Sequence, residues 1–235
     1  MTPLYRDGHW LALSKPPGLV TTPPTSRGAR SLVEFAKEIA PRATHHHPLS
    51  RLDADVSGVV LFALTQEAVD LAVKARAEGT YARRYVGLTS PIPASVKGVW
   101  SDPISIDRRD RTRRTTGPGD DTRDAETRYE VLATAGEVAF VVFVPVTGRT
   151  RQIRVHAKAA GAPLLGDIAY GGAKRVTLDD GAVIPAQRAM LHAWRVRVPG
   201  AKRVIEAPLA DDLVAVWTQS GGVSDPLTRW VEPSS

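Results

Sequence analysis

The sequence predicts an α+β protein built on a mixed, mostly antiparallel central sheet flanked by helices and loops. Three observations carry this. Segments with strand character outnumber helical ones. Helices and strands do not alternate strictly, as a parallel βαβ sheet would require. No internal repeat of fixed period is present, which removes solenoids and propellers.

The elements follow in order. Residues 9–14 alternate as a strand and end sharply at Lys15-Pro16-Pro17-Gly18, because neither proline can donate to a ladder. A loop rich in Thr, Pro and Ser spans 20–28. Ser31 caps a helix reaching about Ile39, with Leu32, Phe35, Ala36 and Ile39 on one face and Glu34 completing a capping box. Pro48 to Ala63 passes from a charged turn into the apolar run Val59 to Phe62, which reads as a short, fully buried strand. Glu67 to Gly79 is an amphipathic helix with Ala68, Leu71, Ala72 and Ala75 as its stripe and Gly79 at the stop. Arg83 to Leu88 is a strand, ended by Pro91 and Pro93. Residues 101–125 are basic and turn-rich without core-building periodicity, and read as a mobile loop insertion. Glu126 to Ala133 and Glu137 to Val146 form a hairpin, the second strand carrying the block Val138 to Val144 suited to a sheet centre. Gly148 to His156 turns from loop into a strand or helix start, with several cations on one side. Leu191 to Val198 and Val204 to Ala207 are a last strand pair, and Asp211 to Gln219 a helix capped by Asp211 or Asp212. The expected organisation is one domain over 1–220 with a loosely held tail, 221–235, apart from Trp230.

Composition bounds the function. The 235 residues are 43% hydrophobic, enough for a substantial core. Lys and Arg total 31 against 25 acidic residues, a balance that permits a polyanionic partner. Cysteine is absent, which excludes disulfides and thiolate metal sites. No run approaches a membrane span of about 20 apolar residues, and Met1 to Asp7 has no signal pattern, so a cytoplasmic protein without membrane association is expected. His45, His46 and His47 are adjacent, but adjacent side chains point in different directions, so no metal is expected there. Phosphate-binding loops, dinucleotide fingerprints, zinc-protease helices and serine-hydrolase elbows are all missing.

Chemistry concentrates in Arg51-Leu52-Asp53. Leu52 can anchor the turn while both charges face a cleft, and a carboxylate beside an arginine at the lip of a rigid strand is held ionised and aimed. The bland reading is a surface ion pair, Arg51 with Asp55. Five arginines within 108–114 suit phosphate contacts, since guanidinium forks match phosphate oxygens.

Four passages in order resemble the RluA-type pseudouridine synthase family, within the RluA/RsuA superfamily. Arg51-Leu52-Asp53 with Ser57-Gly58 and the apolar run to Ala63 resembles its catalytic motif. Arg84-Tyr85-Val86-Gly87-Leu88 resembles the second motif. Gly148 to His156, with Gly161-Ala162-Pro163 and Gly166-Asp167 through Tyr170-Gly171, resembles the third, and Leu191-His192-Ala193 the apolar motif after it. Trp10 to Gly18 resembles the entry strand ending in Lys-Pro-x-Gly. The likeness covers about residues 4–215, and no N-terminal S4-like RNA-binding domain is expected. Ser50 and Arg151 stand where the family usually has histidine, and Val56 where threonine is common, differences that bear on substrate choice and loop packing.

The resemblance implies the pseudouridine synthase fold and isomerisation of uridine to pseudouridine in structured ribosomal or transfer RNA. It implies Asp53 as catalytic carboxylate, Tyr85 stacking on the uracil with acid/base capacity, and Arg154 paired with Asp53. Arg51 is expected as wedge or phosphate contact, Leu191 as apolar wall, and Lys15, Arg83, Arg84, Arg149 and Arg151 along the RNA path. No organic cofactor or metal is needed for an isomerisation, and a monomer is expected. Two other readings stay open: an RNA-binding protein with this fold but no catalysis, and a glycosidase pairing Asp53 with Asp55, whose side chains would share a face on a strand about 7 Å apart. Aromatics at 6% supply few of the sugar platforms a glycosidase needs.

Overall fold

The computed structural model describes residues 1–23, 30–201, 203–223 and 226–230. They form two compact units, residues 1–85 with 192–210 and residues 86–191 with 211–235. The strands Arg83–Thr89 and Leu191–Arg197 carry the chain from one unit into the other.

In the first unit the sheet runs Pro3–Arg6, Trp10–Lys15, Ser57–Ala63, Leu191–Arg197, with Val204–Glu206 paired to the last. Trp10–Lys15 pairs antiparallel with Pro3–Arg6 and with Ser57–Ala63, and Leu191–Arg197 with Val204–Glu206, while His192 and Ala193 lie parallel to Ser57 and Gly58, so the sheet is mixed. Every residue of Ser57–Ala63 is buried, as an apolar run covered on both faces should be. Trp10 to Leu13 beside it are equally buried. The Leu32–Ile39 helix starts at Ser31, whose backbone N–H donates to Glu34 at 2.6 Å. The Gln66–Ala77 helix starts at Thr65, whose hydroxyl accepts from Ala68, and stops at Gly79 with φ +68°.

In the second unit Thr127–Ala135 and Val138–Pro145 form the expected hairpin, and Lys97–Trp100 pairs with the outer side of the first of these. Phe140 meets Trp217 of the Asp211–Gln219 helix edge-on, ring centres 5.4 Å apart, which seats that helix. Trp100 stacks on Tyr129 at 4.4 Å.

Several expectations are corrected. Residues 101–125 are not an unstructured loop. Ile104–Asp107 pairs with Arg114–Thr115 on one side and Gly119–Arg123 on the other, a small antiparallel sheet. Ile104 and Ala125 anchor it in a cluster with Val155 and Tyr170. Gly148 to His156 resolves into a helix, Gln152–Ala159, entered through Arg151 in the left-handed conformation, φ +58°. Short strands at Pro3–Arg6, Arg175–Thr177 and Val183–Pro185 were not foreseen. Part of the 20–28 loop and the end of the tail fall outside the described residues.

Gly58 fixes the parallel crossing. It has φ +116°, and a Cβ there would collide with the backbone of Ala193. Gly58→Ala is therefore expected to cost more than about 1 kcal/mol, a loss set by native strain and read from the midpoint of urea unfolding.

Candidate active site

The first unit positions Asp53 through its neighbours' backbone. Leu52 is buried, and the Thr21 hydroxyl both accepts from its N–H at 3.0 Å and donates to its carbonyl at 2.9 Å. The Ala54 carbonyl accepts from the Gly18 N–H at 2.8 Å and from the Lys15 ammonium at 2.9 Å. Val56 N–H closes the turn onto the Asp53 carbonyl at 3.1 Å. Asp53 itself is half-buried, and Arg51 and Asp55 on either side are exposed. The turn then enters the buried strand at Ser57, whose hydroxyl lies 2.9 Å from His192 Nδ1. Asp53 and Asp55 thus sit around a turn, not on a strand, and the shared-face geometry expected of a glycosidase pair does not apply.

Tyr85 is also buried, in the field of the Asp53 carboxylate. Burial pushes its phenol above the usual value of 10.0, Arg83 opposes this, and Asp53 adds to the rise. At neutral pH the hydroxyl therefore keeps its proton and is a donor, not a base. Strand alternation puts Arg83 on the face of Tyr85 and Arg84 on the opposite face. The guanidinium of Arg83 also lies 5.3 Å from the Tyr81 ring.

Lys15 departs from expectation. It is fully buried, and its ammonium donates to the carbonyls of Pro16 at 3.0 Å, Leu19 at 2.7 Å and Ala54 at 2.9 Å. Three donors meet three acceptors, so this lysine fastens the Asp53 turn and has no proton left for a phosphate. The sequence shows a cation at a strand end and cannot show that chain returns around it.

In the second unit Arg154 projects from the Gln152–Ala159 helix and is buried. Its Nε and Nη2 each donate to Asp167 at 2.7 Å, a bidentate pair with both side chains almost wholly out of water. The guanidinium lies 5.0 Å from the centre of the Tyr170 ring. The helix is held by its polar residues. Gln152 accepts from Thr147 at 2.6 Å and from the Arg149 N–H at 2.9 Å, and donates to Glu126 and Thr127. His156 bridges Thr127 and the Asp102 carbonyl, each at 2.9 Å, and burial lowers its pKa, so it sits neutral. Arg149 donates to the Asp124 carbonyl and Arg151 to that of Thr112, both at 2.8 Å, tying the helix entrance to the small sheet. Leu191 is buried, its carbonyl accepting from Arg188, which is itself paired with Asp212.

Sequence reasoning missed Asp167 as the partner of Arg154, and Tyr170. Both lie in the Gly166 to Gly171 stretch, which the third motif includes without giving either side chain a role. No group of three or more metal-ligating side chains occurs among the described residues.

Residues 9–159 match the model of a family described as RNA pseudouridylate synthase. The chain is 31% identical over 219 residues to the uncharacterized RNA pseudouridine synthase YhcT of Bacillus subtilis, covering 89% of this chain and 69% of that protein. It is 31% identical over 199 residues to the dual-specificity RNA pseudouridine synthase RluA of Escherichia coli, covering 81% and 83%. The solved structure of human RNA pseudouridylate synthase domain containing 4 superposes with a TM-score of 0.74 over 93% of this chain and 92% of that one, at 22% identity, a likeness of fold.

Two outcomes test the geometry. Asp167→Asn strands a buried guanidinium, and a loss of about 3–5 kcal/mol is expected in chemical denaturation. Tyr85 binds in the folded state a proton that the unfolded chain releases near pH 10.0. Its contribution to stability is thus complete below pH 10 and falls as pH rises beyond it. Unfolding of wild type and Tyr85→Phe across pH 9–11 should show the wild type losing more stability on the alkaline side.

Proposed function

We propose that this chain, which belongs to the RNA pseudouridylate synthase family and is an isomerase of that class, converts uridine to pseudouridine in structured ribosomal or transfer RNA, with Asp53 as the catalytic carboxylate. The observation that carries this reading is the braced turn: the backbone on either side of Asp53 is hydrogen-bonded to Thr21, Lys15 and Gly18, and its carboxylate lies in the field of the buried Tyr85 hydroxyl.

The reaction breaks the bond between N1 of the base and C1′ of the sugar and makes one from C5 to C1′; C5 gives up its proton to solvent and N1 takes one up, so the product is an isomer. A carboxylate needs no activation at neutral pH to act at the anomeric face. Its usefulness depends on being held in a productive position, which is what a braced turn provides. Tyr85 supplies an aromatic surface for the uracil and a protonated hydroxyl that can donate to it. Arg154 serves the same reaction from a buried position fixed by Asp167. Arg51 is exposed beside a firmly anchored Leu52, a suitable place for a side chain that displaces or contacts the strand when the uridine is extruded, at a cost of a few kcal/mol. Arg83, on the Tyr85 face, is better placed for the substrate than Arg84.

RNA labelled with tritium at C5 of uridine reports the chemistry directly. Wild-type protein is expected to release tritium, and Asp53→Asn to reduce the rate by more than about 10³-fold while still binding RNA. Release at an undiminished rate by a folded Asp53→Asn would remove Asp53 from its role. Arg154→Lys keeps the charge opposite Asp167 but loses the fork. It is expected to lower turnover more than RNA affinity, and a loss of affinity alone would move Arg154 among the phosphate contacts.

A further inference from the structure

The second unit has an open pocket of about 160 Å³ beside Tyr170. Arg113, Arg114, Thr115 and Thr116 line it from the small sheet, and Lys158 from the Gln152–Ala159 helix. Tyr170 forms part of the wall. Lys158 is three residues beyond Val155, which also lines the pocket, so both sit on one helix face.

The charges in this pocket do not cancel. Three cations line the pocket with one carboxylate, Asp107, one of whose oxygens already accepts from the Arg109 N–H at 2.8 Å, and Arg113 also lies in the field of Asp110. Arg114 is partly committed: its Nη1 donates to the carbonyls of Arg111 at 3.2 Å and Arg113 at 2.9 Å. Its backbone N–H donates to the Tyr170 hydroxyl at 3.1 Å, which fixes this wall. Arg113 and Lys158 are different. The Arg113 guanidinium lies 5.5 Å from the Tyr170 ring centre, and neither it nor the Lys158 ammonium makes a hydrogen bond or ion pair among the described residues. Two cations from separate elements line the pocket together with two threonines, and a tetrahedral oxyanion, which can accept from several sides, suits such a set of donors better than a planar carboxylate.

We propose that this pocket is a phosphate subsite, in which Arg113 and Lys158 grip one backbone phosphodiester of the bound RNA and Thr115 and Thr116 supply further donors. This rests on the RNA-modifying reading and adds to it the place where one phosphate sets the register of the strand. The pocket is open, and it adjoins the exposed Arg108 to Arg111 turn, so a chain of phosphates can pass across it. The Tyr170 ring that Arg113 touches is also the ring against which Arg154 rests at 5.0 Å. A phosphate held here is therefore seated next to the aromatic support of Arg154.

The test is RNA affinity over a salt series for wild type, Lys158→Gln and Arg113→Gln, with Lys74→Gln as a control of equal charge on an exposed helix. Both pocket variants are expected to bind structured RNA severalfold more weakly, with the slope of log K against log salt flatter by about one, and Lys74→Gln to leave the slope unchanged. Unchanged slopes in both pocket variants overturn the subsite, and so does an equal change in Lys74→Gln. Titration with inorganic phosphate separates the sources: protection by phosphate with RNA slopes unaltered assigns the pocket to the free ion and overturns the RNA assignment. Failure of the isomerase reading shows elsewhere, as absence of tritium release by wild type from every RNA tried, and leaves the slopes to decide the pocket on their own.

Discussion

A turn of five residues cannot hold a charged side chain still with its own bonds, and the 51–55 turn depends on a brace supplied from the 15–21 segment. The Thr21 hydroxyl closes a two-way hydrogen bond with Leu52, and the Lys15 ammonium takes the Ala54 carbonyl together with two carbonyls of its own loop. A lysine buried this completely is costly unless its charge is solvated by the protein, and three carbonyl dipoles do that work. The two loops therefore need each other: without the 15–21 segment the turn loses its fixed backbone, and without Ala54 the buried ammonium loses a partner. The pairing of Trp10–Lys15 with Ser57–Ala63 brings them together, since Lys15 lies opposite Gly58 in that ladder.

The second unit solves the same problem for Arg154 by another route. Here the positioned group is a side chain on a helix, and its orientation is set by a carboxylate from a turn 13 residues on. A buried bidentate pair contributes little net stability against an apolar alternative, yet breaking it from one side is expensive. It serves to specify direction. Around it, Gln152 and His156 use their hydrogen-bonding groups on Thr147, Glu126, Thr127 and Asp102, so the helix can neither rotate nor slide without exposing buried donors.

Much of this was legible in the sequence, and the exceptions have physical causes. Val59 to Phe62, Val138 to Val144 and the Ser31 and Asp211 helices were visible because periodicity and capping act locally. The Asp53 turn and the Tyr85 strand stand in passages that resemble ordered family motifs. The small sheet was not, because Gly119–Arg123 contains Gly-Asp-Asp, residues with poor strand preference, and only pairing with Ile104–Asp107 makes it a strand. Lys15 was misplaced for a related reason. Burial belongs to the assembled fold, and a lysine after a strand looks the same in sequence whether it ends in water or under a returning loop. The Asp167 partner of Arg154 needed the path of the intervening turn, which no spacing rule supplies.

The arginine-rich 108–114 segment shows how a charge count misleads without geometry. Arg108 and Arg111 both bind Asp120, and Arg123 binds Asp121, so part of the apparent excess is met by the acidic end of the same small sheet. These pairs are exposed, and such pairs are worth at most about 1 kcal/mol each. A phosphate chain releasing its counterions can compete with them. The segment therefore carries cations in two conditions. Arg108 and Arg111 are lightly held and exchangeable, while Arg113 stands against Tyr170 with its donors open. An anion meeting this surface would settle first where the cations are held in no close ion pair, beside the helix that carries Arg154 rather than at the arginine-dense tip.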